Sequence, residues 1–172
     1  WCDTTYSFKG GELRTIDDIV SEVEHHACNL VEITGGEPLL QPNVHELMSR
    51  LCDDGYEVLI ETSGSMDITP IDPRVRVIMD LKPPGSGEVA KNLWSNIDVL
   101  KATDEVKFVL ADREDYDWAV ATCGEHGLSE RADVIFSPVH GALEAGELAN
   151  WILEDHLRVR LGLQIHKFLG VE

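Results

Sequence analysis

Five short stretches gather the residues able to do chemistry: "WCDTTYSF" at 1–8, "TGGEP" at 34–38, "ETSG" at 61–64, "DLKPPGSG" at 80–87 and "SPVHG" at 137–141. The first sets a thiol, an acid and hydroxyls side by side. In the second, Gly35 and Gly36 let the backbone approach a ligand closely, leaving amides and carbonyls free for an ammonium or a carboxylate. Glu37 adds a fixed negative charge for a ligand cation, and Pro38 stops the strand. No Walker-type Lys-Ser/Thr follows the glycine pair, so phosphate is not the ligand it points to. Asp80 and Lys82 flank Leu81 at alternate strand positions and point to one side, where they serve a common ligand or pair with each other. His140 and His166 close strands, where a lone histidine is more often a hydrogen-bonded structural group than a catalyst.

The four cysteines, Cys2, Cys28, Cys52 and Cys123, are far apart and form no Cys-x-x-Cys pair. That spacing argues against a zinc ribbon or a small disulfide framework. Cys28 and Cys52 trail helical patterns and Cys123 lies inside one, positions that suit a small buried hydrophobe. Cys2, beside Asp3 and Thr4, has no such explanation. His25 and His26 are adjacent helical positions that face different directions, a poor start for a zinc site.

The elements that position these stretches follow from periodicity. In "TIDDIVSEVEHHA" the residues Ile16, Ile19, Val20 and Val23 share one helical face, with Thr15 as N-cap and Asp18 three residues on. "NVHELMSRLCDDG", "REDYDWAVATCGEHG" and "ALEAGELANWILEDH" are further helices. "LVEITGGEP" is a short β-rich run halted by glycines, and "YEVLIETSG", "VRVIMDLK", "EVKFVLA", "DVIFSPVHG" and "VRLGLQIH" are strands. Alternating strands and helices imply right-handed crossovers and a parallel sheet. "DLKPPGSGEVAKNLWSN" lacks core periodicity and reads as a functional loop with a short helix. "TGGE", "ETSG", "DLKPPGSG" and "SPVHG" each follow a strand directly. In a parallel sheet or barrel they therefore crowd together at the strands' C-terminal ends, where such folds bind ligands.

Composition bounds the partners. The 172 residues, 43% of them hydrophobic, suit one domain with its own core, 1–172. No run of about 18 apolar residues is present to span a bilayer, and a soluble cytoplasmic protein without membrane contact is expected. Thirty-two acidic against 14 basic residues give a formal charge of −18, spread along the chain. This reads as a heavily solvated acidic surface, as in salt-adapted proteins, and disfavours nucleic acid. Any anionic ligand must then be met by local cations, backbone amides or a metal ion.

"CDTTYSF", "TGGEPLLQ", "ETSG", "DLKPPGSGE", "DEVKFVLADREDYDWA", "SPVHG" and "LQIHKFLGV" stand in the order and approximate spacing of the 7-carboxy-7-deazaguanine synthases, a radical S-adenosylmethionine family that the chain resembles over nearly its whole length. The resemblance implies an α/β fold, an abbreviated, partial (βα) barrel with a parallel sheet and short helices. It implies a [4Fe-4S] cluster on three cysteines, S-adenosylmethionine on the fourth iron site, and a 5′-deoxyadenosyl radical. That radical takes hydrogen from 6-carboxy-5,6,7,8-tetrahydropterin. A magnesium-assisted ring contraction with loss of ammonia then gives 7-carboxy-7-deazaguanine, on the route to queuosine-type tRNA bases.

By the same resemblance, Cys2 is the last cluster cysteine and Thr4 a magnesium ligand, a hydroxyl suited to a hard cation. Gly35, Gly36 and Glu37 meet the amino-acid part of S-adenosylmethionine, with the backbone of Gly36 on its amino group. Asp80, Leu81 and Lys82, with Ser137, Pro138, Val139 and His140, hold its nucleoside part. Thr34 contacts the pterin, and the terminal carboxylate of Glu172 accepts from the pterin's N–H edge, a two-bond match. An electron donor such as flavodoxin or ferredoxin and a homodimer are implied too. The family's first strand, a glutamine-glutamate region, a basic residue and two cluster cysteines are expected before Trp1; a chain that began there would be catalytically incompetent. A glycyl-radical-enzyme activase shares "GGEP" and the cysteine ending, but "CDT" favours a small substrate. A cluster-free binding module on the same fold is the non-enzymatic alternative.

Overall fold

The computed structural model describes residues 10–165. Helix α1 (Ile16–His25) begins with the capping box read from the sequence. The Thr15 hydroxyl accepts from the Asp18 N–H at 3.1 Å, and the Asp18 carboxylate accepts from the Thr15 N–H at 3.3 Å. β1 (Leu30–Ile33), α2 (Val44–Asp53), β2 (Glu57–Thr62), β3 (Arg76–Asp80) and β4 (Glu105–Leu110) follow. The chain continues through α3 (Arg113–His126), α4 (Leu128–Arg131), β5 (Asp133–Pro138), α5 (Ala145–Glu154) and β6 (Arg160–Leu161). The six strands form one sheet whose spatial order is their chain order, and every neighbouring pair is parallel. The alternation of strands and helices implied this parallel sheet, and the resemblance implied the partial (βα) barrel of which it is the wall.

Side chains alternate between the two faces of each strand. Val58, Ile60, Val77, Met79, Val106, Phe108, Leu110, Val134 and Phe136 are buried on the convex face. There they join Met48 and Leu51 of α2, Tyr116 and Ala119 of α3, and Leu148 and Ile152 of α5 in one core. Phe108 packs edge-on against Phe136 at 5.4 Å and Trp118 at 6.1 Å, which seats α3 across β4 and β5. The residues between them, including Glu32, Glu61, Asp80, Lys107 and Ser137, belong to the concave face.

Several local features depart from the expected pattern. The β2–β3 connection carries no helix. Its backbone is instead held by buried Asn96, whose amide donates to the Met66 carbonyl at 2.8 Å and accepts from the Ile68 N–H at 3.3 Å. The stretch after β3 folds as three 3-10 helices, Pro84–Ser86, Val89–Lys91 and Trp94–Val99, not one short helix. α4 is too short to show a period. The last strand, expected over 159–166, pairs only at Ile135↔Arg160 and Phe136↔Leu161. Beyond it Leu163 and Ile165 are exposed among the described residues.

Cys28 is a correction: it is exposed between α1 and β1, where its thiol donates to the Leu30 carbonyl, and it is no core residue. Cys52 and Cys123 are half-buried against the core, and burial pushes the Cys123 thiol up to about 12. No helix among the described residues is long and apolar enough to cross a membrane.

Phe108 fills the centre of the convex core and is fully buried. Phe108→Ala is expected to cost about 3–5 kcal/mol, through lost transfer energy and the cavity left behind. The shift in a urea unfolding midpoint at unchanged slope checks this.

Candidate active site

The polar stretches converge because the strands are parallel and end together. Thr34 to Pro38 follows β1. Gly35 takes φ +145 with open space where a side chain would stand, a conformation that side-chain-bearing residues rarely adopt. Gly64, after β2, takes φ +73, and a Cβ there would meet the Asp80 carbonyl at 2.4 Å. The glycine is therefore what lets the β2 loop lie against the end of β3.

Glu37 ties the first two loops together. Its carboxylate accepts from the Leu39 N–H at 3.0 Å, the Thr62 hydroxyl at 3.0 Å, the Ser63 N–H at 2.8 Å and the Ser63 hydroxyl. The side chain also caps the 3-10 turn Pro38–Leu40. The sequence suggested a charge offered to a ligand cation. In the fold the carboxylate accepts from four protein donors, which joins the β1 loop to the β2 loop.

Further along the concave face, Glu61 of β2 accepts from the Thr34 hydroxyl at 3.5 Å and pairs with Lys107 of β4 at 3.3 Å. Asp80 pairs with Lys82 at 2.6 Å, so the two residues read as sharing a side meet each other. The Lys82 backbone is clamped by Asn92, whose side chain accepts from its N–H at 2.9 Å and donates to its carbonyl at 3.0 Å. Burial opposes the charge on Lys107, but Asp80 and Glu61 outweigh it and hold its pKa above the ordinary lysine value. Glu32 is raised, first by desolvation against the sheet and then by Glu61 nearby.

The fold brings most of the sequence-derived site residues to one end of the sheet. Thr34, Gly35, Gly36 and His140 are exposed there, Glu37, Asp80, Lys82 and Val139 are half-buried, and Leu81, Ser137 and Pro138 are buried. Leu81 sends its side chain into the core, leaving its backbone for a ligand. Cys2, Thr4, His166 and Glu172 lie outside the described residues. Lys107, Asn92 and the side chain of Glu61 were not singled out from sequence. The signal available was the alternation in "EVLIET" and "EVKFVL", which sets charges on one face of strands that otherwise read as buried.

The model of the radical SAM superfamily matches residues 1–138. The chain is 46% identical over 184 residues to the 7-carboxy-7-deazaguanine synthase of Koribacter versatilis, covering 98% of this chain and 81% of that protein. It is 42% identical to the 7-carboxy-7-deazaguanine synthase of Chlorobaculum tepidum, over 98% of this chain and 78% of that one. The chain belongs to the 7-carboxy-7-deazaguanine synthase family. Among solved structures, QueE from Escherichia coli superposes with a TM-score of 0.64 at 20% identity, covering 95% of this chain and 78% of that chain. Streptococcus suis SuiB bound to S-adenosylmethionine gives 0.61 at 13% identity, over 95% of this chain and 45% of that one. These two show a shared fold.

As a radical SAM enzyme of this family, the protein uses S-adenosylmethionine and a [4Fe-4S] cluster, a small-molecule substrate and a reductant. The described site suits S-adenosylmethionine. It offers open space beside Gly35, strand-end backbone at Gly36 and Leu81, and a wall at Ser137 and Val139 whose polar group is a neutral hydroxyl. Among the described residues there is no group of three or more side chains able to hold a metal.

Glu32 gives a pH test. Its folded pKa lies above its unfolded value, so its contribution to stability is present below the unfolded pKa and is lost as pH rises through the folded one. Glu32→Gln is expected to raise the thermal midpoint at pH 7 by about 1–2 °C, discounted for solvent screening. The gain should vanish below about pH 4, where both forms are neutral. A melting series from pH 3.5 to 8 checks it.

Proposed function

We propose that the converging loops of this 7-carboxy-7-deazaguanine synthase bind S-adenosylmethionine and 6-carboxy-5,6,7,8-tetrahydropterin side by side, for conversion of the pterin to 7-carboxy-7-deazaguanine with loss of ammonia. The observation that carries the reading is the junction of Thr34, Gly35 and Gly36 with Glu61 and Lys107 at one strand-end surface. A ligand with an ammonium and a carboxylate fits the exposed glycine backbone. A second ligand with an N–H edge and a carboxylate fits the hydroxyl, acid and ammonium beside it.

In this reading Gly36 takes the methionyl amino group, with Gly35 and Glu37 beside it at the amino-acid part of S-adenosylmethionine. Asp80, Leu81 and Lys82 line one side of the nucleoside and Ser137, Pro138, Val139 and His140 the other. Thr34 faces the pterin. Cys2 serves the cluster, Thr4 a magnesium ion, and the Glu172 carboxylate the N–H edge of the pterin. When bound, the cluster and S-adenosylmethionine supply one-electron chemistry at a carbon–hydrogen bond. The chain's own part is to fix the two ligands in register and limit their motion, the largest effect a positioning site can exert. Residues 1–172 act as one domain in a cytoplasmic homodimer without direct nucleic-acid or membrane contact. Flavodoxin or ferredoxin supplies the electron.

The test uses full-length protein reconstituted with iron and sulfide without oxygen, then given reductant, S-adenosylmethionine and the carboxypterin. Mass spectrometry is expected to find 7-carboxy-7-deazaguanine together with 5′-deoxyadenosine. 5′-Deoxyadenosine without product would overturn the substrate, and neither despite a bound cluster would favour a binding module. Thr4→Ala is expected to lower magnesium-dependent product formation at least tenfold and leave S-adenosylmethionine cleavage within about twofold, since a metal at the pterin carboxylate does not serve the cluster. Equal loss of both activities would sink the Thr4 assignment.

A further inference from the structure

α3 starts at an N-cap, Asp112, whose carboxylate accepts from the Asp115 N–H at 3.0 Å. An acid at the third helical position ordinarily reaches back to the N-cap N–H. Asp115 does something else. Its side chain, 1% exposed, accepts from the Ala111 N–H at 3.1 Å and from the Gly85 N–H at 2.8 Å, thirty residues away in the loop after β3. Gly85 has no positive φ to require glycine, yet a Cβ there would lie 2.7 and 2.8 Å from the two Asp115 oxygens. The glycine is thus explained by the approach of the carboxylate.

The other end of the clamp matters as much. Ala111 follows Leu110, whose carbonyl accepts from the Val139 N–H at 2.8 Å. One buried carboxylate therefore stands behind two segments at once: the loop three residues beyond Lys82, and, through Leu110–Ala111, the turn Ser137–His140. We infer that Asp115 is a positioning residue that sets the spacing between the two walls of the S-adenosylmethionine nucleoside site. The inference rests on the proposed placement of that site. Asp115 touches no ligand; it acts through the backbone of Gly85 and Ala111.

Asp115→Asn keeps one acceptor oxygen and turns an N–H toward the other donor, so one of the two loops is released. Gly85→Ala attacks the same contact from the opposite side. In the apoprotein, Asp115→Asn should speed hydrogen exchange at whichever of Gly85 and Ala111 loses its acceptor, with α2 and β2 unchanged. In the cluster-loaded enzyme, S-adenosylmethionine affinity measured by equilibrium dialysis should fall about tenfold in each variant, while carboxypterin affinity stays within twofold. The double variant should lose little more than either single one, because both break one contact. The inference is overturned if the folded variants bind S-adenosylmethionine like the parent, or if both affinities fall together in step with the melting temperature. Should Asp115→Asn fail to fold, Gly85→Ala decides alone. Parent enzyme that cleaves S-adenosylmethionine but binds it equally in all variants overturns this inference only. Parent enzyme that binds none overturns the placement of the site as well.

Discussion

The constraint on which the rest of this molecule depends is that, among the described residues, helices α2, α3 and α5 cover one face of the sheet. A parallel sheet in an α/β protein is commonly buried on both, and its strands then read as continuous apolar runs. Here the convex residues are apolar and lie under α2, α3 and α5, whereas the concave residues include Glu32, Glu61, Asp80, Glu105 and Lys107. A charged row on a strand is compatible with a stable sheet only if water or ligand can reach it. The polar concavity is thus a consequence of sequence alternation, and parallel pairing sends the loops that complete it to the same end.

Loops of this kind have no ladder of their own, and the protein fixes them with buried side chains. Glu37 joins the β1 and β2 loops, Asn92 brackets Lys82, Asn96 serves the helix-free β2–β3 crossover, and Asp115 holds the loop after β3. Each answers the requirement that backbone donors and acceptors out of water find partners. Each also ties a loop to a side chain from a distant stretch of the chain.

Much of this was legible in the sequence because it is local. The capping box at Thr15, the β-rich runs of β2 to β5 and the turn residues after each strand follow from spacing alone, and strand–helix alternation fixed the parallel order. The resemblance to a known family supplied ligand roles that spacing does not. What escaped has a common physical origin, which is contact between residues far apart in the chain. "TGGEP" shows an acid but not that Thr62 and Ser63 consume its lone pairs. "GSG" shows flexible residues but not that Asp115 occupies the space beside Gly85. Cys28 trails an amphipathic helix as a core residue would, yet among the described residues it stands exposed in the α1–β1 turn. Of the eight-residue strand expected at 159–166, only Arg160–Leu161 pairs with β5 among the described residues.

The charge balance of the concave face bears on how an acidic protein accepts an anion. Among the described residues, Arg76 pairs with Glu57, Lys82 with Asp80, Lys107 with Glu61 and Arg160 with Glu105. Every cation of that face is already answered by a carboxylate, in a chain of formal charge −18. A substrate carboxylate entering here would displace one of these acids or meet a net negative field. Displacement leaves a partly desolvated acid unpaired, which costs more than the exchanged ion pair returns. A divalent ion held by a neutral hydroxyl adds two positive charges without recruiting a lysine from its partner. The charge balance of the described face therefore favours meeting a substrate carboxylate with a bound cation over recruiting one of its lysines.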